Sequence, residues 1–492
     1  MQLSKSDYML FLKHPAWLWL KKHDKNKLPP VDANTQAIFD AGHTFENMAE
    51  QLFTTHHKLG FNNYDEYLSL PHKTLEAISD GHKTILQGRF EAESITCICD
   101  VIEFVDTKTI DLYEIKSSTK VKIEHYYDLS FQKTVLEKLG YIVRNISVIH
   151  VNNKFIKNGP IKIEELTTIT DVTEEVKKLS HTTDGYIKKA LEVMKSLKRP
   201  DISPIYCRLG SLNEWIAIYK TLTDVGENSI YDLYLINVPL ISKLLSSNVN
   251  KLIEIPDNFQ LQEKQKRQLQ ALKAQKPIID LTKIQKYLSN LEYPLYFLDY
   301  ETLASVIPYF DGLKPYQQLP FQYSLHIIDK PNGKLKHYEY LHQTNDNPAV
   351  PLLNSLIDQI GTHGTILTWN MSFEKKCNIL LGKYNPDYNK VIDNINSRID
   401  DLMIPFSEGY YIDSRFRGSA SLKNVLPVLI PSLSYKDLTI SEGGSAQRVW
   451  MEIILENKKI NQKEQILQDL LTYCKLDTLA MVEIHKYLVN LI

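Results

Sequence analysis

Short apolar blocks bounded by turn residues mark strands over 294–298, 321–328 and 336–341. An apolar helix follows over 350–360, then another strand over 364–369. Three strands in hairpin order, a crossover helix and one more strand predict an α/β sheet. Asn370 stands where it can cap the next helix. Residues 399–402 offer a further strand, and 470–481 carry helical apolar spacing. Earlier in the chain, 95–102 and 110–119 read as a β-hairpin around a turn at 106–109. A helix-like stretch over 38–50 precedes the hairpin; a helix over 128–140 and a strand over 146–151 follow it. The stretch 205–290 is mostly helical in pattern and includes a polar helix over 261–276. Breaks near Lys198–Asp201 and Tyr293–Pro294 divide the chain into 1–204, a helical connecting segment 205–290, and 291–492.

A length of 492 residues fits several domains at roughly 100–200 residues each. With 43% hydrophobic and 24% charged residues, the chain can bury an ample core. A net charge of −2 does not advertise nucleic-acid binding, although a local basic groove needs no global excess. The cysteines, Cys97, Cys99, Cys207, Cys377 and Cys474, are odd in number and scattered, which suits a reducing cytoplasm. Cys97 and Cys99 read either as a metal pair or as two small buried strand residues, the plainer reading. No apolar run approaches the ~20 residues that span a bilayer, and no signal-peptide pattern opens the chain, so a cytoplasmic protein without a membrane partner is expected. The run 441–445 reads as a loop.

Side chains alternate faces along a strand, so Asp299 and Glu301 point the same way. Two such carboxylates repel unless a cation or a proton lies between them, and oxygen-rich sites suit Mg²⁺ or Mn²⁺. The plain alternative is a strand end with two solvated acids. Glu374 falls in the first turn after Asn370, and Tyr473 and Asp477 share a helix face at i, i+4. In the hairpin, Glu114 and Lys116 face one side of the second strand, and Asp100 on the first can approach them. Two acids that hold an ion beside a lysine that orients water fit phosphodiester cleavage, while cross-strand pairs also serve simply to stabilise hairpins. Lys264, Lys266, Arg267 and Lys273 form either a phosphate-tracking cluster or the surface of a solvated helix joining two domains. Asp400 and Asp401 are given no ligand role.

Taken in order, Asp299 and Glu301, then Asn370, Phe373 and Glu374, then Tyr473 and Asp477, resemble the three motifs of the DEDDy 3′–5′ exonucleases, which share an RNase H-like fold. That group ends its second motif in Asp, and Glu374 reaches one methylene farther. The resemblance implies two Mg²⁺ or Mn²⁺ ions held by Asp299, Glu301, Glu374 and Asp477, with Asn370 nearby. It also implies that Tyr473 orients the attacking water and that nucleoside monophosphates are released. Asp100, Glu114 and Lys116, with the helix and strand that follow, resemble the RecB-like group of PD-(D/E)XK nucleases. This implies one or two ions, Glu46 as a further metal ligand and Gln132 as the group's helical glutamine; His43 is ranked as surface or structural. Many RecB-like relatives hold an iron–sulfur cluster through four cysteines, but His14 stands where the first is expected and Cys207 alone follows the core, so no cluster is expected. The residues 298–302, 307–316 and 321–325 carry a whole-chain resemblance to an uncharacterised bacterial family of predicted RecB-like nucleases with a C-terminal exonuclease-like domain. The expectation is therefore a metal-dependent nuclease with two sites, acting on DNA or RNA, with protein partners of a repair or defence system. The alternative is a nucleic-acid-binding scaffold subunit of a larger complex with one or both sites inactive.

Overall fold

A computed structural model describes residues 2–436, 438–440, 442–458 and 460–492. The chain forms two compact units of mixed α/β architecture. One comprises residues 1–225, 237–242 and 306–315, the other 226–236, 243–305 and 316–492, so the stretch 205–290 is shared between them. No helix among the described residues is long and apolar enough to cross a membrane.

The first unit is built on strands β1 (Leu3–Ser4), β2 (His57–Lys58), β3 (Thr84–Ala92), β4 (Ile95–Phe104), β5 (Thr109–Lys116), β6 (Ile142–Val151) and β7 (Thr167–Asp171). They form one seven-stranded sheet in the order β2-β3-β4-β5-β6-β7, with β1 parallel to the start of β4. The expected hairpin is the antiparallel β4–β5 pair, and the Ile123–Lys138 helix crosses over to β6, parallel to β5. One sheet face packs Leu129, Phe131, Val135 and Leu136 of the crossover helix with Ile187, Ala190 and Met194 of the Thr173–Lys195 helix. The other receives Phe45 and Ala49 of the Ala33–Ala49 helix against Leu86, Val101, Ile115 and Ile149. Asp32 caps that helix by accepting from Thr35 N at 2.8 Å. Strands β4 and β5 pair only from Val101 onward, so they part at Asp100 and leave a fork. Cys97 and Cys99 are buried in the apolar core beside it, with Sγ atoms 3.7 Å apart.

The second unit contains β8 (Ile278–Ile279), β9 (Leu295–Leu303), β10 (Leu319–Ile328), β11 (Leu335–Leu341), β12 (Thr365–Thr368), β13 (Ile399–Asp401) and β14 (Tyr411–Ile412). Its main sheet has the order β11-β10-β9-β12-β13; β8 pairs separately with β14. The first three strands are antiparallel and the last two join in parallel. Strand β10 is buried along its whole length because helices cover both faces, and its polar Gln322, Ser324 and His326 are buried with the apolar residues between them. On one face Tyr300 donates to Asn378 Oδ1 at 2.6 Å, and Tyr323 O–H and Ser355 Oγ lie 2.8 Å apart, tying the Met371–Tyr384 and Ala349–Ile357 helices to the sheet. On the other, Ser324 Oγ meets Thr478 Oγ1 at 2.7 Å and Gln322 Nε2 donates to Leu470 O at 2.8 Å, fixing the Lys463–Val489 helix. Ser324 lies opposite Asp299 and Gln322 opposite Glu301, so these bonds set the register of that helix against the acids.

The turn into β12 depends on Gly364. Its φ is +87°, and a Cβ there would lie 2.2 Å from the Pro294 carbonyl oxygen. Gly364→Ala is therefore expected to cost more than about 1 kcal/mol in denaturant unfolding, through an incompatible backbone and a direct clash. An unchanged midpoint would contradict that account of the turn.

The basic helix is neither a free phosphate track nor a solvated linker. It runs Glu263–Ala274 and buries Gln265, Gln268, Leu269 and Ala271. Lys264 donates to the Ser407 carbonyl, Arg267 to the Gly409 carbonyl and Lys273 to Asp257 at 2.5 Å, so three of its four cations brace the unit. The polar pattern hid these partners because backbone carbonyls leave no mark in sequence.

Two candidate metal-ion sites

Strand β9 delivers Asp299 half-buried and Glu301 buried toward the Lys463–Val489 helix, as the alternation predicts. That helix presents Tyr473, Cys474 and Asp477, all buried. Ligand atoms of Asp299, Glu301 and Cys474 lie within 4.8 Å of one another, with Cys474 Sγ 3.9 Å from Asp299 Oδ2. Tyr435 donates to Asp477 Oδ1 at 2.5 Å. Glu374 enters from the first turn of the Met371–Tyr384 helix; among the described residues its buried Oε2 has no hydrogen-bond partner. It interacts electrostatically with Asp299 but lies outside the tight Asp299–Glu301–Cys474 set.

The N-cap of the Glu374 helix corrects the expectation for Asn370. Asn370 has φ 121° and no side-chain capping bond; its Oδ1 instead accepts from Ser372 Oγ at 2.8 Å. The capping carboxylate is Asp401 at the end of β13, which accepts from Asn370 N at 3.2 Å and Met371 N at 3.1 Å. Asp401 thus positions the turn that carries Glu374. The 441–445 stretch differs too: Glu442 stands at the N-cap position of a Gly443–Trp450 helix, and Ser441 lies outside the described residues. A Cβ on Gly443 would lie 3.6 Å from Glu301 Oε2, so this helix starts beside the acid.

Every acid of this site is held above the carboxylate range, chiefly by burial. Asp299 is raised further by repulsion from Asp477, Glu301 and Glu374. Burial and then Asp477 push Glu301 to about 8, with Lys423 opposing. Burial and then Asp401 push Glu374 to about 8. Burial takes Asp477 to about 7 against the stabilising Tyr435 hydrogen bond and Lys423. The Tyr473 phenol is raised by burial and then by Asp477, Glu301 and Asp299, so it keeps its proton at neutral pH.

These shifts fix a sign. The folded protein holds protons on acids that ionise near pH 4 when unfolded, so their contribution to stability is complete below about pH 4 and is lost as pH rises to about 8. In chelator, the unfolding midpoint of the native protein is expected to fall from pH 5 to pH 8 relative to Glu301→Gln. Adding Mn²⁺, which binds the ionised forms, is expected to restore it at the upper end. A native midpoint that rises over that window relative to the variant would contradict the burial of these acids.

The second cluster lies at the fork of the first unit. Asp100 Oδ2 accepts from Ile115 N at 2.8 Å, bridging the parted strands. Glu114, 1% exposed, accepts on Oε1 from Lys116 Nζ at 2.5 Å and Lys5 Nζ at 2.8 Å, and on Oε2 from Gln132 Nε2 at 2.6 Å. Asp128 accepts from Lys116 Nζ and from Gln132 Nε2, each at 2.9 Å. Glu46 on the Ala33–Ala49 helix accepts from Gln87 Nε2. Asp100, Glu114, Lys116, Glu46 and Gln132 therefore meet, and His43 is exposed on the surface.

Charge divides this cage. Asp100 is held well above its usual value by burial, then by Glu114 and Glu46, despite Lys5 and Lys116. Glu46 is raised by burial and then by Glu114 and Glu50. The opposite half is satisfied: burial of Lys116 and Lys5 is outweighed by Asp128 and Glu114, which keep both ammonium groups charged, and the two lysines hold Asp128 well below the carboxylate range against its own burial. His14 caps the Pro15–His23 helix by accepting from Ala16 N at 3.1 Å. Its ring stacks on Trp215 at 3.9 Å, and Cys207 packs in the same cluster.

Sequence reasoning missed Cys474, Tyr435, Lys423 and Asp401 in one site and Lys5, Asp128, Glu50 and Gln87 in the other. Cys474 and Asp128 had a signal: Cys474 lies three residues before Asp477 and Asp128 four before Gln132, on the same helix faces. Tyr435, Lys423 and Lys5 had none, because only tertiary packing brings them in.

Residues 296–421 match a family described as Domain of unknown function (DUF2779). The match takes in Asp299, Glu301 and Glu374 and ends before Tyr473 and Asp477. The chain is 23% identical over 216 residues to the Uncharacterized protein UU173 of Ureaplasma parvum serovar 3, covering 40% of this chain and 31% of that protein. It is 24% identical over 218 residues to the Uncharacterized protein MG366 of Mycoplasma genitalium, covering 40% and 32%. The matched region spans about a third of the length of these curated relatives.

Proposed function

We propose that this chain is a metal-dependent nuclease with a 3′–5′ exonuclease site around Asp299 and a second nuclease site around Glu114. The observation that carries the reading is that Asp477, Glu301 and Glu374, from three distant segments, all act electrostatically on Asp299, and that burial raises all four acids. Buried like charges are costly unless a ligand uses them, and perturbed acids of this kind mark functional sites. The donor set suits Mg²⁺ or Mn²⁺: it is mostly hard carboxylate oxygen, and the orphaned Oε2 of Glu374 is a free ligand atom. Asp299, Glu301, Asp477 and Glu374 would hold the cations. Such ions lower the pKa of bound water and neutralise charge on a scissile phosphate. Tyr473, protonated, orients water by hydrogen bonding rather than by taking its proton. In the other site Asp100, Glu114 and Glu46 would hold the cation and Lys116 would orient water or neutralise developing charge.

The test is incubation of 5′-labelled DNA and RNA oligonucleotides with Mg²⁺ or Mn²⁺. A ladder of shortened products that chelator abolishes supports the reading. The second reading, a nucleic-acid-binding scaffold with silent sites, draws on the donors that already satisfy Asp477 and Glu114, namely Tyr435, Lys116 and Lys5. Retardation of the oligonucleotide on a gel, with no shortening under either metal, favours that reading instead.

A further inference from the structure

We propose that Lys5 is a second phosphate-binding lysine of the site around Glu114, contacting a non-bridging oxygen of the substrate phosphodiester beside Lys116. The inference rests on the nuclease reading of that site.

The position of Lys5 is built rather than incidental. Strand β1 pairs in parallel with β4 at Leu3 and Ile95, and Leu3 N donates to Ser94 O at 2.8 Å. Ser4 then caps the Lys5–Lys13 helix in a reciprocal capping box with Asp7. Asp7 is held in turn by Lys21 at 2.9 Å and Lys22 at 2.5 Å. Lys5 therefore leaves the first helical residue of a doubly anchored segment. Its Nζ lies 2.8 Å from Glu114 Oε1 and 3.6 Å from Asp128 Oδ1.

Lys5 and Lys116 donate to the same Glu114 oxygen, so two ammonium groups stand side by side against two carboxylates. An ammonium carries three donors, and the hydrogen bonds to protein use one on Lys5 and two on Lys116. The Lys5 side chain is 22% exposed and that of Lys116 27%, so both are partly open to solvent while Glu114, at 1%, is buried. Asp100 lies within electrostatic reach of both lysines and of Glu46. The cage thus gathers two lysines and the acids Asp100 and Glu46 around Glu114, groups that a phosphodiester bridging a metal ion and two lysines would use.

Single-stranded oligonucleotide binding is measured by fluorescence anisotropy with Ca²⁺ over a range of salt, using the full chain in an Asp299→Asn background. Lys5→Gln is expected to weaken binding about tenfold and to reduce the log–log salt slope by about 0.7, the loss of one phosphate contact. Lys5→Arg is expected to retain both. Affinity and slope equal to the parent for Lys5→Gln overturn the proposal, as does a loss that Lys5→Arg does not restore, which marks a purely structural ion pair. Lys116→Ala is measured alongside. If it too binds as the parent does, nucleic acid does not enter this cage and the nuclease reading of the site falls with the proposal; if only Lys5→Gln is silent, the proposal alone falls.

Discussion

Asp299→Asn should abolish the divalent-dependent shortening of oligonucleotides from the 3′ end, slowing it by about 10³-fold or more, which corresponds to about 4 kcal/mol of transition-state stabilisation. Asp299 is the common neighbour of the site: Asp477, Glu301 and Glu374 all act on it electrostatically. Asparagine keeps its size and removes the charge that would bind cation. The same change should leave the protein at least as stable in chelator, because replacing the acid relieves its repulsion with Asp477, Glu301 and Glu374 and keeps the weak Cys474 contact at 3.9 Å within reach. Activity and stability should move in opposite directions, read by product ladders and by thermal unfolding of the same preparation. Loss of activity together with unfolding would make Asp299 a structural residue.

Lys116→Met should behave differently. It should remove cleavage that survives in the Asp299→Asn background, and it should also destabilise. Lys116 Nζ bonds Glu114 and Asp128 at 2.5 and 2.9 Å, and removing it leaves two buried carboxylates facing each other. Breaking a buried pair from one side typically costs about 3–5 kcal/mol, and Lys5, which remains on Glu114, should hold the loss to the lower end. Guanidinium unfolding of the first unit measures it. A fully stable variant that has lost cleavage would assign Lys116 to chemistry alone, and a stable variant that still cleaves would remove it from the site.

The contrast follows from charge balance. Around Asp299 the acids crowd one another with few cations near, and only protonation or a divalent ion relieves them. Around Glu114 two lysines and a glutamine already satisfy half of the cage. The first site is frustrated without metal and the second only in part.

How far the sequence foretold this depended on what each residue needs. Asp299 and Glu301 were legible because strand alternation alone puts them on one face, and Tyr473 and Asp477 because helix periodicity does the same. Glu114 and Lys116 were legible for the same reason, and Asp100 because a hairpin must bring its strands together. The hairpin order of β9, β10 and β11 followed from apolar blocks, and the place of β12 beside β9 is set by the crossover. Asn370 was misjudged: its residue type fits an N-cap, but the carboxylate of Asp401, from a neighbouring strand, takes the helix amides and leaves Asn370 with a positive φ. The Glu263–Ala274 helix was misjudged because its cations find backbone carbonyls, partners that no side-chain pattern records. Lys5 was invisible because its proximity to Glu114 depends on β1 pairing with β4 across most of the unit.

Anomalous scattering from crystals of the full chain grown with Mn²⁺ tests the central claim most directly. The account predicts a peak about 2.1 Å from carboxylate oxygens of both Asp299 and Asp477, with Glu301 or Glu374 completing the shell. Saturating Mn²⁺ with no peak between those side chains, or a peak held by other residues, would contradict it.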